Sequence, residues 1–300
     1  MEVRSDLKEK VATSIQRLKA FQPKEGYHLA FSGGKDSCVI KALADMAGVK
    51  YEAVYIVTGI DPPELVQFIK NIHPDVKFDI PRYPDGTRVT MWNLIRKKKY
   101  PPTRIARFCC QYLKEDAGDG KMTITGVRWA ESANRKQNQG IATVTNQNKK
   151  DKQDFIESGH FGSTKKGGVI LVNDNDESRR MMEQCVKRAK ITINPIIDWD
   201  DEDVWMFIKE YNIPYCSLYD EGFKRLGCIG CPMASRKGRE KEFLRYPKYK
   251  ELYIKAFDKM LKEKTAAGKT YDTLNNAQDL FNWWMEYDVL PGQVDLFEEV

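Results

Sequence analysis

The stretch Tyr27–Ser37, YHLAFSGGKDS, decides the fold of this chain. It starts as a short apolar run, Tyr27–Phe31, which is typical of a buried β-strand, and it continues into a loop with two adjacent glycines. Residues 37–44 then have the apolar spacing of a helix that ends at Gly48. A strand, a glycine loop and a helix in this order predict the opening unit of a parallel sheet.

The same alternation of strands and helices continues along the chain. It predicts an α/β fold in which a twisted parallel sheet is flanked by helices and is followed by a helical C-terminal part. The predicted strands cover residues 51–57, 76–80, 121–127 and 191–197, and the predicted helices cover 5–20, 64–72, 92–99, 200–211, 246–261 and 277–287.

The chain is expected to form two parts. Residues 1–235 are expected to form the core domain, and residues 236–300 are expected to form a helical C-terminal extension. The segment 134–177 is polar and poor in apolar residues. It is therefore predicted to be an insertion or mobile flap that has no core of its own.

Bulk composition narrows the class of protein. The 300 residues are 41% hydrophobic and 31% charged, and they contain no run of about 18 apolar residues that could span a membrane. Charges throughout residues 1–21 exclude a secretory signal, so we expect a cytoplasmic protein with no membrane partner. The net charge of +6 suits a nucleotide or a nucleic acid, although an ordinary solvated surface explains it equally well.

The loop between the first strand and the first core helix has the chemistry of an anion site. Its two glycines allow a tight turn and close approach of an anion, and the loop amides and the helix N-terminus point towards it. The lysine can neutralise charge, and the aspartate can bind Mg²⁺ or orient the loop. An ordinary strand–helix junction is the alternative. The predicted anion-binding residues are Ser32, Gly33, Gly34, Lys35, Asp36 and Ser37.

The seven cysteines include one adjacent pair, Cys109 and Cys110, and one Cys-x-x-Cys motif, Cys228 and Cys231. Disulfides are improbable in a cytosolic chain, and four thiolates suit either zinc or an iron–sulfur cluster. Buried free cysteines are the alternative interpretation.

Taken together, these motifs resemble the phosphoadenosine phosphosulfate (PAPS) reductase family of the adenine nucleotide α-hydrolase, or ATP-pyrophosphatase, superfamily. The loop resembles that superfamily's Ser-Gly-Gly-x-Asp-Ser pyrophosphate loop. The other matching segments, in chain order, are Val57–Glu64, Gly126–Ser132, Asn194–Trp199 with Asp203–Trp205, and Leu218–Cys231.

The resemblance implies an adenine-nucleotide α-hydrolase-like (HUP-type) Rossmannoid fold and assigns roles to particular residues. It implies that Cys109, Cys110, Cys228 and Cys231 ligate a [4Fe–4S] cluster, with zinc as the alternative. It places Thr58, Gly59 and Gly126 in the nucleotide site, and it implies that Arg128 contacts phosphate or the transferred sulfur group. Glu131 and Arg135 are weaker candidates.

Within the family, the motifs favour an ATP-using branch. This chain keeps Lys35-Asp36, which resembles the small subunit of ATP sulfurylase, tRNA-thiolating enzymes and the DNA-phosphorothioation protein, and no cysteine follows Cys231 in the sequence. We therefore expect an iron–sulfur ATP pyrophosphatase that uses ATP and Mg²⁺ to adenylate an acceptor for sulfur transfer from a cysteine desulfurase or another donor.

Nucleic acid is the expected acceptor, because the basic runs Arg96–Lys99 and Arg236–Arg239 flank the cysteine motifs. Ordinary surface charge is the alternative interpretation of these runs. Two other functions stay open. One is a PAPS or adenylylsulfate reductase that releases sulfite and uses Cys216 or Cys185 as its thiol. The other is a non-catalytic nucleotide-binding or cluster-binding partner subunit.

Overall fold

The computed structural model of this chain describes residues 5–115, 118, 120–268 and 276–286. The chain forms two compact units: one comprises Met1–Tyr55, Glu64–Phe78 and Ala117–Leu226, and the other comprises Ile56–Pro63, Asp79–Asp116 and Gly227–Val300. The described strands are β1 Tyr27–Ala30, β2 Tyr51–Ile56, β3 Lys77–Asp79, β4 Thr123–Ile124, β5 Ala142–Thr145, β6 Phe161–Ser163, β7 Val169–Leu171 and β8 Lys190–Ile193. The described α-helices are α1 Ser5–Ala20, α2 Lys35–Ala47, α3 Pro63–Ile72, α4 Met91–Lys98, α5 Phe108–Cys110, α6 Ala133–Asn138, α7 Lys149–Glu157, α8 Asp176–Cys185, α9 Asp201–Glu210, α10 Arg236–Arg245, α11 Pro247–Ala266 and α12 Ala277–Glu286.

Strand β1 lies inside the parallel part of the sheet. It pairs in parallel with β2, where Tyr27 is opposite Tyr51, and with β4, where His28 is opposite Thr123. β4 pairs in parallel with β8, and the sheet order is β3-β2-β1-β4-β8-β5-β7-β6. Because parallel strands end at the same edge, the segments after β1 and β4 emerge side by side. The predicted α/β fold with a parallel sheet flanked by helices is confirmed.

Segment 134–177 differs from the expected flap. It supplies β5, which pairs antiparallel with β8 and β7, and β6, which pairs antiparallel with β7. Its few apolar residues fall at buried positions: Phe155 and Phe161 are buried with ring centroids 4.5 Å apart, and Val169 is buried in β7. Despite its polar composition, the segment therefore has a small apolar face that is packed and buried. That this segment is an insertion, and that a domain ends at residue 235, stay predictions.

The second unit has a helical, aromatic core. Tyr253, Phe257 and Trp284 on α11 and α12 are buried in it, and Cys109 and Ile229 belong to the same buried cluster. Both predicted C-terminal helices are present, although Tyr287 lies outside the described residues, and α10 was not predicted. None of the helices in the described ranges combines the length and the apolar composition that crossing a lipid bilayer requires.

Candidate functional site

The loop Ser32–Ser37 connects β1 to α2 in a conformation that its first glycine makes possible. Gly33 has φ +74°, and a Cβ at this position would lie 2.7 Å from Cδ1 of Ile69, so glycine is required both for the backbone and for the packing. Gly34 is the N-cap residue and supplies no side-chain cap to α2. The Ser37 hydroxyl donates to the carbonyl oxygen of Gly34 at 2.8 Å and holds the turn closed.

The first amide of α2 is bonded to a tyrosine. The Lys35 N–H donates to the hydroxyl oxygen of Tyr219 at 2.9 Å, and the Tyr219 ring packs edge-on against Trp205 with centroids 5.2 Å apart. Burial raises the pKa of Tyr219, so its hydroxyl stays neutral. Sequence analysis did not predict a role for Tyr219, because its partner Lys35 lies 184 residues away along the chain. The hydroxyl lies where a helix N-terminus would hold an anion.

Two cations and two carboxylates form a network beside the loop. The Lys35 ammonium lies 3.2 Å from Oδ2 of Asp36 and 3.0 Å from Oδ1 of Asp201. Arg128 donates from Nε to Asp36 at 2.7 Å and from Nη2 to Asp201 at 2.6 Å. The charges of the four groups cancel formally, so each cation is already balanced.

The pKa directions in the network agree with its geometry. Burial opposes the charged form of Arg128, which is only 2% exposed, but the charges of Asp36 and Asp201 outweigh this and raise its pKa. Burial also opposes ionisation of Asp201, yet hydrogen bonds from Lys35 and Arg128 lower the pKa of that carboxyl. Sequence analysis missed Asp201, because nothing in its local pattern marks a partner so distant along the chain.

The segment after β4 is shaped to reach α2. A Cβ at Gly126 would lie 2.8 Å from the Asp36 Cβ, so only glycine permits this approach. Glu131 accepts the Arg128 N–H at 3.0 Å and also pairs with Arg135, with 3.2 Å between charged atoms. Glu131 and Arg135, the weaker candidates, therefore support the backbone that carries Arg128.

Thr58 and Gly59 belong to the second unit, whereas the loop, Gly126 and Arg128 belong to the first. The Thr58 hydroxyl donates to Oδ2 of buried Asp61 at 2.6 Å and accepts the Ile60 N–H at 3.2 Å. Gly59 has φ +78°. These contacts stabilise a tight turn, and a nucleotide role for both residues stays a prediction.

The four candidate ligand cysteines lie in the second unit. Cys109 and Cys110 form α5 and run into a π-helical turn, and Cys228 and Cys231 close a turn in which the Cys231 N–H donates to the Cys228 carbonyl at 3.2 Å. The pKa of Cys109 is raised, first by hydrogen bonding with the Cys110 thiol, then by burial and by the charges of the other three cysteines. Cys109 belongs to the buried cluster of the second unit, and Cys110 and Cys228 pack against that cluster.

Four thiols have the chemistry of an iron–sulfur or zinc centre. The charge of Cys228 and a hydrogen bond to its thiol raise the pKa of Lys114. Within the ranges that the structure describes, no group of three or more His, Cys, Asp or Glu residues is arranged to hold a metal ion. Cys38, Cys185 and Cys216 are buried in the first unit, and burial raises the pKa of each thiol. Such cysteines fit the role of small core residues.

Both basic runs are engaged within the second unit. Arg96 and Lys99 bind the Glu263 carboxylate, each with a 2.7 Å hydrogen bond. The Lys97 and Lys98 ammonium groups lie over the Tyr83 and Tyr112 rings, 4.3 and 4.6 Å from the centroids. In the second run, Arg236 pairs with Glu240 at 2.9 Å. The runs therefore offer less available charge than their sequences indicate.

Comparison with known proteins identifies the family. The model of the phosphoadenosine phosphosulfate reductase domain matches residues 26–234, and the chain belongs to this family. An uncharacterised protein of Methanocaldococcus jannaschii is 31% identical over 237 residues, which are 77% of this chain and 45% of that protein. The adenosine 5′-phosphosulfate reductase of Allochromatium vinosum is 38% identical over 70 residues, 19% of this chain and 27% of that enzyme.

Similar solved structures include the PAPS reductase of Candida auris in a phosphate complex, with a TM-score of 0.40 and 15% identity over 76% of this chain and 97% of that one. The FMN adenylyltransferase of Candida glabrata, in complex with FMN and an ATP analogue, has a TM-score of 0.43 and 13% identity over 76% of this chain and 68% of that one. The chain spans less than half the length of each of the two curated relatives named above.

Proposed function

We propose that this protein is an enzyme that binds ATP at the loop Ser32–Ser37 and uses it to activate an acceptor for sulfur transfer. The observation that carries the proposal is the network of Lys35, Asp36, Arg128 and Asp201 at an α2 N-terminus that has no side-chain cap. It places two cations and two carboxylates beside amides suited to an anion.

The network suggests how a pyrophosphate group would be held. Loop amides would donate to its oxygens, and the amide of Lys35 would exchange the Tyr219 hydroxyl for a phosphate oxygen. Lys35 and Arg128 would turn towards the phosphates, since arginine matches two oxygens of an anion at once. The carboxylates of Asp36 and Asp201 would then be available to Mg²⁺, which prefers oxygen ligands and arrives with the nucleotide.

The proposed reaction is adenylation. An oxygen of the acceptor attacks the α-phosphorus of ATP, the bond to the bridging oxygen of pyrophosphate breaks, and pyrophosphate leaves into the loop with the electron pair. The loop amides, Lys35 and Arg128 stabilise the charge that develops on the leaving group. The terminal sulfur of a persulfide on a cysteine desulfurase or another donor then displaces AMP, which leaves with the acceptor's oxygen, and a thiol reductant cleaves the remaining sulfur–sulfur bond to free the donor's cysteine.

Cys109, Cys110, Cys228 and Cys231 are the residues that would hold a [4Fe–4S] cluster, and zinc is the alternative. When bound, the cluster would carry or relay sulfur. The contact of Cys109, Cys110 and Cys228 with one buried cluster supports this assignment. A cytoplasmic location stays a prediction.

Nucleic acid is the proposed acceptor because the net charge is +6 and because the ammonium groups of Lys97 and Lys98 lie over tyrosine rings, which leave their charge available to phosphates. Replacing both lysines with alanine should weaken binding of a DNA or RNA oligonucleotide and reduce its salt dependence by about two charges. An unchanged salt slope would show that this surface does not bind nucleic acid.

A sulfonucleotide reductase is the second candidate, because several relatives carry the name adenosine 5′-phosphosulfate reductase. It predicts release of sulfite from PAPS or adenosine 5′-phosphosulfate at the expense of a thiol reductant. The short stretches that these relatives match, 16–19% of this chain, make this the weaker proposal.

Nucleotide binding is tested by calorimetry with ATP and PAPS in the presence of Mg²⁺. We expect ATP to bind, Lys35→Met to weaken binding at least tenfold, and Lys41→Met, on the same helix but paired with Asp45 and Asp75, to leave it unchanged. Equal loss in both variants would mean that helix charge in general, rather than the loop, attracts the nucleotide. No binding of ATP by the wild-type chain would overturn the proposal.

A further inference from the structure

Three of the four backbone polar groups of Ile229 and Gly230, in the turn Cys228–Cys231, are bonded to groups outside the turn. The Gly230 N–H donates to Oε2 of Glu242 on α10 at 2.7 Å, and the Ile229 carbonyl accepts from the Tyr253 hydroxyl on α11 at 3.0 Å. The Ile229 N–H donates to the Ile60 carbonyl at 2.8 Å. These three polar groups are thus held by bonds that do not involve the cysteine sulfurs.

Packing fixes the same turn sterically. Gly230 has φ +70°, and a Cβ there would lie 2.6 Å from Cζ of Phe243 and 3.1 Å from Cη2 of Trp284. Tyr253 and Trp284 are buried, with ring centroids 4.7 Å apart. Aromatic side chains from α10, α11 and α12 therefore pack against Gly230, at the centre of the Cys-x-x-Cys motif.

Trp284 also contacts the chain that leads to the other cysteine pair. Its Nε1–H donates to the carbonyl of Pro102 at 2.7 Å, and Pro102 lies a few residues before Cys109 and Cys110 in the sequence. The Arg239 side chain is 2% exposed, and its guanidinium lies over the Trp284 ring, 4.1 Å from the ring centroid. One buried side chain thus links the two segments that carry the four cysteines.

We propose that Glu242, Tyr253 and Trp284 are positioning residues for the cysteine centre, and that the C-terminal helices complete a site whose ligands come from the family domain. All three lie beyond residue 234, where the family match ends. Side chains that orient metal ligands change metal affinity by about 10–100-fold when they are removed. The proposal rests on the cysteine centre of the proposed function.

The test is anaerobic reconstitution of the full chain with iron and sulfide, followed by the rate at which a chelator removes iron. Tyr253→Phe deletes one hydroxyl, and Glu242→Met deletes the acceptor for Gly230, so each should release iron about tenfold faster than the wild type. Glu242→Gln keeps an acceptor oxygen and should restore wild-type retention. Trp284→Phe should behave like Tyr253→Phe, whereas its neighbour Trp283→Phe is the matched control.

Thermal unfolding of the metal-free variants separates positioning from general instability, because Tyr253→Phe should release iron faster at an almost unchanged melting temperature. Wild-type iron retention in Tyr253→Phe and Glu242→Met would overturn the inference and leave the cysteine centre intact. A wild-type chain that takes up neither iron nor zinc would overturn the centre itself, and this inference with it.

Discussion

Arg128 donates from Nε to Oδ1 of Asp36 at 2.7 Å, across 92 residues of sequence. Asp36 lies in the first turn of α2, and Arg128 follows β4, so the bond joins the ends of two neighbouring parallel strands. Open α/β sheets bind ligands at this edge. The bond therefore connects the loop Ser32–Ser37 to the candidate arginine.

Replacing Arg128 with methionine should impair both nucleotide binding and folding. The substitution leaves Lys35 as the remaining cation beside Asp36 and Asp201. Loss of a hydrogen bond to a charged group lowers the free energy of unfolding by about 1.5–3 kcal/mol. The loss is smaller for the bond to Asp201, because that carboxylate is largely exposed. Chemical denaturation measures the free energy of unfolding. Asp201→Asn in the Arg128→Met background should recover part of the loss, and a further loss would show that the two residues are not coupled.

Replacing Tyr219 with phenylalanine should tighten the binding of ATP. The hydroxyl occupies the Lys35 amide, so its removal frees that donor for a phosphate oxygen, and one hydrogen bond of about 0.5–1.5 kcal/mol corresponds to a gain of up to about tenfold. Calorimetric titration with ATP measures the change. Tyr215→Phe, whose hydroxyl bonds Asp220, is the matched control. Weaker binding by Tyr219→Phe would mean that the hydroxyl assists the nucleotide.

Two glycine substitutions separate backbone strain from crowding. Gly33→Ala and Gly48→Ala both place alanine in a left-handed conformation, which costs about 1–2 kcal/mol. Only Gly33→Ala also meets Ile69 and Leu65, within 2.8 Å, and overpacking adds about 1–3 kcal/mol, whereas Gly48 has open space. Urea denaturation should show the larger loss for Gly33→Ala. Equal losses would mean that the loop relaxes to accept the methyl group.

The Arg17–Asp198 ion pair predicts a dependence of stability on pH. Burial opposes ionisation of Asp198, but bidentate hydrogen bonds from Arg17 at 2.8 Å outweigh it and lower the pKa of the carboxyl. This stabilisation is present above the ordinary aspartate pKa of about 4 and is lost as the pH falls through the lower folded value. Because Asp198 is 37% exposed, the amount is at most about 1 kcal/mol.

The Asp198→Asn variant checks this assignment. Between about pH 5 and 3, wild-type unfolding free energy should fall more steeply than that of the variant, and the two curves should converge at the acid end. Parallel curves would show that other carboxylates dominate the acid response.

The features that sequence analysis found are those encoded locally. A strand, two glycines and a helix are adjacent in Tyr27–Ser37, so the opening strand and its loop were predictable, and α2 begins only two residues before the predicted start. The Cys-x-x-Cys turn is likewise a short-range pattern. Both patterns can be identified without knowing which segments, distant in sequence, come into contact in the fold.

What sequence analysis missed depends on long-range contacts. Asp201 and Tyr219 reach Lys35 from 166 and 184 residues away, and no spacing rule connects such positions. Glu263 pairs with Arg96 and Lys99 of a basic run that the sequence predicts to bind nucleic acid, and the sequence does not show this pairing because the carboxylate comes from another helix. The strands of 134–177 were missed because each is only three or four residues long, so few apolar residues suffice to bury it.

That the protein uses ATP to activate an acceptor is tested most directly by product analysis. Anaerobically purified, metal-loaded protein is given Mg²⁺, a thiol reductant, an oligonucleotide and a persulfide donor. Separate reactions then receive ATP, PAPS or adenosine 5′-phosphosulfate. The account predicts pyrophosphate and AMP from ATP, at a rate that Lys35→Met abolishes and Lys41→Met retains, and no sulfite from either sulfonucleotide. Sulfite from PAPS or adenosine 5′-phosphosulfate, without pyrophosphate from ATP, would contradict it and identify a reductase.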